Sequence, residues 1–330
     1  MSAGEAAARY AEGVRALDGG DFAAAEREFR GALALRPGHA EAHSNLGVVL
    51  QSVGRGFEAV ASYRSAIEAS HVLPQPYLNL GRLLQELGRR GEAEACYRQA
   101  LARGLDAGVF GHLLNAASGT SSAQAPPSYV RETFDSFAAR FDQHLVGTLD
   151  YRIPEILSGA VREFSLSAPI DILDLGCGTG LAGEQLRDLA GRLVGVDLAP
   201  KMLEMARARG CYQELAEAEV GAYLRALHPA GFDLVVAADV FIYIGDLAQV
   251  FGETARVLRS GGLFAFSIEQ PGAPCESFRL EASGRYSQAL AYVRGLAAGA
   301  GMDERCCKEV TVRTHGAQAL IGQALVLQKP

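Results

Sequence analysis

Three glycines at alternate positions, Gly176, Gly178 and Gly180, follow directly on a short apolar run containing Ile170, Ile172, Leu173 and Leu175. The run is too short for a helix, and Leu181-Ala-Gly-Glu-Gln-Leu-Arg-Asp-Leu follows the glycines, so the stretch reads as strand, tight turn, helix. Glycine in such a turn permits positive φ and close approach of a ligand to the backbone, and the helix start beyond it offers free N–H groups. That is a cradle for a nucleotide-type ligand. A second chemical group, Asp197, ends the next apolar run, Arg192-Leu-Val-Gly-Val-Asp197, 17 residues after Gly180. At the carboxyl end of a strand, a carboxylate with two adjacent acceptor oxygens suits a ribose cis-diol. A third, Asp239, stands just past the buried-strand pattern Phe232-Asp-Leu-Val-Val-Ala-Ala, with Phe241 and Tyr243 after it.

These residues need a sheet to hold them. Strand, helix, strand and helix alternate from Ile170 through Pro200-Lys-Met-Leu-Glu-Met-Ala-Arg-Ala-Arg, which fixes a parallel βαβ arrangement. A P-loop is excluded, because Leu181-Ala182 stands where Lys-Ser/Thr is required. The dinucleotide fingerprint also fits poorly, since its last two glycines are three apart and these are two apart.

Asp174-Leu-Gly-Cys-Gly-Thr-Gly180 resembles motif I of the class I S-adenosylmethionine-dependent methyltransferases, in glycine spacing and in the acid two residues before the first glycine. The resemblance implies a Rossmann-like α/β domain, a mostly parallel sheet with a closing antiparallel strand. Its cofactor would be S-adenosyl-L-methionine, held by Asp174, Gly176, Cys177, Gly178, Thr179, Gly180 and Asp197, with Leu198 and Met202 beyond. Glu219 takes the place of the adenine-side acid beside Val220, with Glu217 a close competitor. Asp239 and the aromatics after it look like motif IV, which faces the transferable methyl group, and Arg259-Ser-Gly-Gly leads into the fifth strand. Lys308-Glu-Val-Thr-Val-Arg and Ala319-Leu-Ile-Gly-Gln-Ala-Leu-Val-Leu alternate as the closing antiparallel hairpin. Arg285 and Tyr286 fall in the loop before it, where such enzymes build substrate pockets.

The first hundred residues have a different logic. Aligned with itself at a shift of 34, the chain superposes Gly13, Gly47 and Gly81; Gly20, Gly54 and Gly88; Ala25, Ala59 and Ala93; Phe29, Tyr63 and Tyr97; and Ala32, Ala66 and Ala100. A period of 34 with small residues where helices cross and an aromatic filling the gap resembles the tetratricopeptide repeat, and Pro37 falls where that family ends a repeat. Such repeats stack into a concave groove. Asn45 and Asn79 occupy one repeat position and form two rungs of an asparagine ladder that could hold an extended peptide, although Ala11 breaks it in the first repeat. Packing within the repeats is the plainer role for both. The two-carboxylate clamp of chaperone-binding arrays is not recognisable. Val109-Phe-Gly-His-Leu-Leu-Asn-Ala suits a capping helix, and Ser118-Gly-Thr-Ser-Ser-Ala-Gln-Ala-Pro-Pro127 reads as a linker or mobile loop. The expected domains are therefore repeats over 1–117, a linker over 118–127 and the methyltransferase domain over 128–330.

The segment after the linker places Phe134, Phe137, Phe141 and Leu145 on one helical face. Core packing explains Phe137. For Phe134 and Phe141 the segment resembles the Phe-Asp…Phe-Asp helix of repeat-bearing bacterial methyltransferases and of quinone-type ones, which implies a lid over the cofactor. His144 lies beside them and is the one residue there that could take a proton near neutral pH, although a surface or capping histidine is the plainer account.

Composition narrows the partners. A chain of 330 residues with 49% hydrophobic residues, a net charge of -7 and a pI near 5.6 is globular protein not built to coat nucleic acid or anionic membrane. Its start lacks a basic, then apolar leader, which gives a cytoplasmic expectation. The six cysteines have no metal-ligand spacing, so reduced thiols and no metal are expected, with Cys177 a small residue at a crowded turn and Cys306-Cys307 packed in a strand. The function expected is methyl transfer to an unidentified acceptor, aided by a base drawn from Asp239, His144 and Tyr243. The repeats would recognise a protein or peptide substrate or partner. In the alternatives they only dock or dimerise a small-molecule methyltransferase, or the chain is a non-catalytic adaptor.

Overall fold

A computed structural model of the chain describes residues 3–135, 151–164, 166–315 and 318–330. It divides into two compact units, Met1–Thr120 and Ser121–Pro330.

The first unit consists of helices α1 (Ala3–Asp18), α2 (Phe22–Leu35), α3 (Ala40–Ser52), α4 (Gly56–Ala69), α5 (Pro74–Glu86), α6 (Arg90–Ala102) and α7 (Ala107–Ser118). The 34-residue period is a packing period. Phe29, Tyr63 and Tyr97 are fully buried. Each lies against the glycine of the preceding helix, so close that a Cβ on Gly13, Gly47 or Gly81 would come within 2.7, 2.5 or 2.2 Å of the ring. Gly20, Gly54 and Gly88 turn the chain between the paired helices at φ of 76, 80 and 72°, a conformation that costs other residues energy. The last repeat is covered by α7, whose Phe110 meets Tyr77 edge-on at 6.2 Å. Asp106 caps α7 by accepting from Val109 N at 2.8 Å, and Gly119 ends it at φ 77°. Asn45 is half-buried and donates to Tyr10 Oη at 3.2 Å, whereas Asn79, also half-buried, has no side-chain bond of this kind among the described residues.

The second unit is a seven-stranded sheet in the order β3-β2-β1-β4-β5-β9-β8. Strands β1 (Ile170–Leu175), β2 (Ala190–Asp197), β3 (Glu214–Glu217), β4 (Phe232–Ala237) and β5 (Leu258–Glu269) are parallel, while β9 (Gln318–Gln328) runs antiparallel to β5 and to β8 (Asp303–His315). The continuous apolar runs have this cause: both faces are buried. Along β4 and β5, Val235, Ala237, Phe264 and Phe266 belong to one core, and Leu234, Val236, Leu263 and Ala265 to the other. The chain leaves β1 first towards β2 and later towards β4, so the carboxyl end of β1 is a topological switch point, where such sheets bind ligands.

Two stretches differ from the expected loops. Residues 118–127 were expected as a linker, but Ser121–Ala125 are hydrogen-bonded into the second unit. The stretch before the last helix forms a small hairpin, β6 (Phe278–Leu280) with β7 (Tyr286–Gln288). The segment Ser121–Ala125 gave no strand signal because its partners lie far away in the chain; the hairpin was missed because its strands are only three residues each.

Candidate functional site

A cavity of about 290 Å³ opens at the carboxyl ends of the parallel strands, lined by Gly176, Cys177, Gly178 and Thr179 of the Gly turn and by Asp174, Asp197, Glu219, Asp239, Tyr243 and Arg285 among others, whereas Gly180 faces Arg209 and Tyr212. The strand order sets the sequence of groups along this edge: Glu219 after β3, Asp197 at the end of β2, the Gly turn after β1, and Asp239 after β4.

The turn itself depends on its glycines. Gly176, Gly178 and Gly180 have φ of 61, 52 and 92°. A Cβ on Gly176 would lie 2.6 Å from Val240 Cγ2, whereas a Cβ on Gly178 would meet nothing within 4 Å. Space is therefore kept open over Gly178, in a turn that lines the cavity. Asp197 ties this turn to the next helix, Pro200–Arg209, by accepting from Gly178 N at 2.9 Å and from Ala199 N at 2.8 Å. Burial raises the Asp197 pKa against the pull of these backbone bonds. Each of its oxygens retains a second lone pair.

Asp174 is buried, and Tyr212 Oη donates to it at 2.6 Å. Burial pushes its carboxyl up to about 7, opposed by the Tyr212 bond and assisted by the charge of Asp197. Sequence reasoning missed Tyr212. Its signal was two interior glycines: a Cβ on Gly183 would lie 2.3 Å from Tyr212 Oη, and one on Gly195 2.9 Å from its ring. Arg209, also missed, clasps the turn from outside by donating to Thr179 O at 2.6 Å and pairing with Glu184.

A pH effect follows. The folded pKa of Asp174 lies above the ordinary carboxylate value near 3.9, so between about pH 4 and 7 the folded state holds a proton that the unfolded state has released. Its contribution thus destabilises the fold progressively as pH rises through that window, and fully above about 7. Calorimetric melting at pH 5 and pH 8 is expected to show a loss in the wild type that is smaller in Asp174→Asn, by an amount on the order of a few kcal/mol. Equal losses in both proteins would contradict the assignment.

The remaining expected residues separate. Leu198 and Val220 line the cavity; Met202 is fully buried beneath, beside Ala199. Glu219 lines it too, but both its oxygens cap the helix Val220–Ala226, accepting from Gly221 N at 2.8 Å and Ala222 N at 2.7 Å. Burial pushes the Cys177 thiol well up, which makes it inert. Asp239 sits at φ 59°, in the left-handed region, with its N–H donating to Ser267 Oγ at 2.9 Å. Phe134, on α8 (Pro127–Asp135), lines the cavity and meets Tyr243 edge-on at 5.3 Å. Arg285 faces the same end. Burial pulls its pKa down, but neighbouring Tyr243, Glu269 and Asp239 outweigh this and raise it. Tyr286, expected in a loop beside it, is instead fully buried in β7, bonded to Ser122 Oγ at 2.6 Å, and does not line the cavity. Phe137, Phe141 and His144 lie outside the described residues. Among the described residues no group of His, Cys, Asp and Glu is placed to hold a metal, and no helix is long and apolar enough to cross a membrane.

The second unit has a Rossmann-like sheet with a match to a methyltransferase domain, and a match to tetratricopeptide repeats precedes it. Residues 173–266 match the family described as Methyltransferase domain, and residues 38–105 match Tetratricopeptide repeat. The chain is 34% identical over 139 residues to a Malonyl-[acyl-carrier protein] O-methyltransferase of Hahella chejuensis, covering 41% of this chain and 47% of that one. It is 33% identical over 102 residues to a Ubiquinone biosynthesis O-methyltransferase of Thiobacillus denitrificans, covering 29% and 43%. It thus spans about half the length of these relatives or less. Among solved structures the [4+2]-cyclase SpnF aligns over 64% of this chain and 99% of its own, at 16% identity and a TM-score of 0.51, a likeness of fold alone.

Proposed function

We propose that the second unit binds S-adenosylmethionine along the carboxyl edge of its sheet and transfers the methyl group to an oxygen of an acceptor molecule. The observation that carries this is the open space over Gly178 beside Asp197. A turn that holds three positive-φ glycines and leaves that space unfilled fits a ligand pressed against the backbone. The relatives named above are both O-methyltransferases, which is the support for oxygen as the acceptor atom.

When bound, the cofactor supplies an electrophilic methyl group that needs alignment and a dry site more than a nucleophilic side chain. Asp197 accepts from the ribose hydroxyls with its remaining lone pairs, and Gly178 lets the backbone approach. Glu219 takes the adenine side. Phe134 and Tyr243 close the cavity with apolar surface and exclude water. Arg285 donates to an acceptor oxygen, and Asp239 takes the proton of an acceptor hydroxyl. The repeats recognise a substrate or partner through their groove, with Asn45 and Asn79 as its polar contacts.

Calorimetric titration of the full chain with S-adenosylhomocysteine tests the cofactor half of this reading. Micromolar, stoichiometric binding is expected. Undetectable binding at millimolar ligand would remove the enzyme reading and leave an interaction protein built on repeats.

A further inference from the structure

The wall of the cavity around Tyr243 is made of three pieces that are distant in the chain. The loop after β4 supplies Tyr243, and the β6–β7 hairpin supplies Arg285. The third piece is Ser121–Ala125, the first residues of the second unit, of which Gln124 and Ala125 line the cavity themselves. This short segment is bound along its whole length. Gly245 N and Asp246 N both donate to Ala123 O, at 2.9 and 2.8 Å, and Ala125 N donates to Tyr243 O at 2.9 Å. Gln124 and Ile244 form an antiparallel bridge. On the other side Leu280 N donates to Ser121 Oγ at 3.1 Å, and Ser122 Oγ meets Tyr286 Oη at 2.6 Å.

The hairpin and the loop are also joined directly. Gln288 Nε2 donates to Phe241 O at 2.7 Å and to Ile244 O at 2.9 Å. Gly245 leaves room for the hairpin, since a Cβ there would lie 2.5 Å from the Phe278 ring and 2.7 Å from Tyr286. Asp197 and the Gly turn take no part in these bonds; they are held by β1, β2 and the helix Pro200–Arg209. The hydrogen bonds that hold the two ends are therefore separate, and what joins the ends is side-chain packing, of Val240 beside Gly176 and of Phe134 between Tyr243 and Ala199. Neither the segment nor the hairpin falls within residues 173–266, which match the methyltransferase family.

We propose that Ser121–Ala125 is a positioning strap, which holds the Tyr243 loop and the Arg285 hairpin together as the acceptor wall and does not govern cofactor binding. The term acceptor rests on the methyl-transfer reading; the mechanical role of the strap does not. Residues that read as a linker thus determine the shape of the pocket that selects the acceptor. The strap begins directly after Thr120, the last residue of the repeat-bearing unit.

The test uses the full chain with two independent lesions: the double variant Ser121→Ala/Ser122→Ala, and Ala125→Pro, which removes the N–H that bonds to Tyr243 O. Amide hydrogen exchange is expected to quicken roughly tenfold or more in peptides covering 243–246 and 278–288, and to stay unchanged over 173–199. Affinity for S-adenosylhomocysteine should remain within about threefold, because neither lesion removes a bond made by Asp197 or the Gly turn. A spectroscopic reading is also available, because the chain has no Trp. Tyr243→Trp then reports on this wall alone, and its emission should shift to the red when either strap lesion is added. Unchanged exchange at 243–246 with unshifted emission would overturn the proposal, as would faster exchange spreading into 173–199 with loss of homologue binding. Failure of the wild type to bind S-adenosylhomocysteine would instead count against the methyl-transfer reading, with the exchange result still deciding the strap.

Discussion

Asp197→Ala is expected to lower the affinity for S-adenosylhomocysteine by roughly a hundredfold or more, with the fold retained. Two effects add in that figure. The variant loses the charge-assisted bonds proposed to the ribose diol, each worth about 1.5–3 kcal/mol. It also releases Gly178 N and Ala199 N, the two donors by which the carboxylate fixes the Gly turn against the next helix. Asp197→Asn separates them. An amide offers one acceptor oxygen in place of two, so it can keep one of the backbone bonds and part of the turn geometry while losing charge. Its affinity should fall between those of wild type and Asp197→Ala. Calorimetry on the three proteins, with thermal melts to confirm folding, decides the matter. Equal affinities across the series would mean that the ligand does not bind beside Asp197.

Gly176→Ala should be strongly destabilising, because backbone conformation and packing both oppose it. The residue sits at φ 61°, which costs a non-glycine residue about 1–2 kcal/mol. The new Cβ would lie 2.6 Å from Val240 Cγ2, and overpacking of this kind costs about 1–3 kcal/mol. The sum, about 2–5 kcal/mol, corresponds to a fall in melting temperature of roughly 5–15 °C for a unit of this size. The two causes can be told apart by adding Val240→Ala. It relieves the clash and leaves the backbone cost, so the double variant should recover part of the loss beyond additivity. A melting temperature within a degree of wild type for Gly176→Ala would contradict the geometry.

Local patterning carried much of the fold. The parallel sheet was legible because strands buried on both faces are short continuous apolar runs between helical spacings. The repeats were legible because each ring of Phe29, Tyr63 and Tyr97 needs a glycine opposite it, and that need recurs every 34 residues. The Gly turn, Asp197 and Asp239 stood out for a similar reason: turn chemistry and strand ends are local, and the sheet brings strand ends together automatically.

Other features had no local cause, and only the tertiary structure decided them. Tyr212 was invisible because its reason for being there is Asp174, 38 residues earlier in the chain, a contact made across a βαβ crossover. Tyr286 and Arg285 are sequence neighbours with opposite fates, one buried under Ser122 and the other lining the cavity, because Tyr286 opens β7 whereas Arg285 lies in the turn before it. Ser121–Ala125 has the composition of a linker, and what orders it is hydrogen bonding to backbone more than a hundred residues away. Sequence by itself determined the sheet, the repeats and the acids at the strand ends, since periodicity and turn residues act over a few positions. The wall around Tyr243 and Arg285 was left to the tertiary structure, because backbone N–H and C=O groups are the same in every residue and reveal their partners only once the chain has folded.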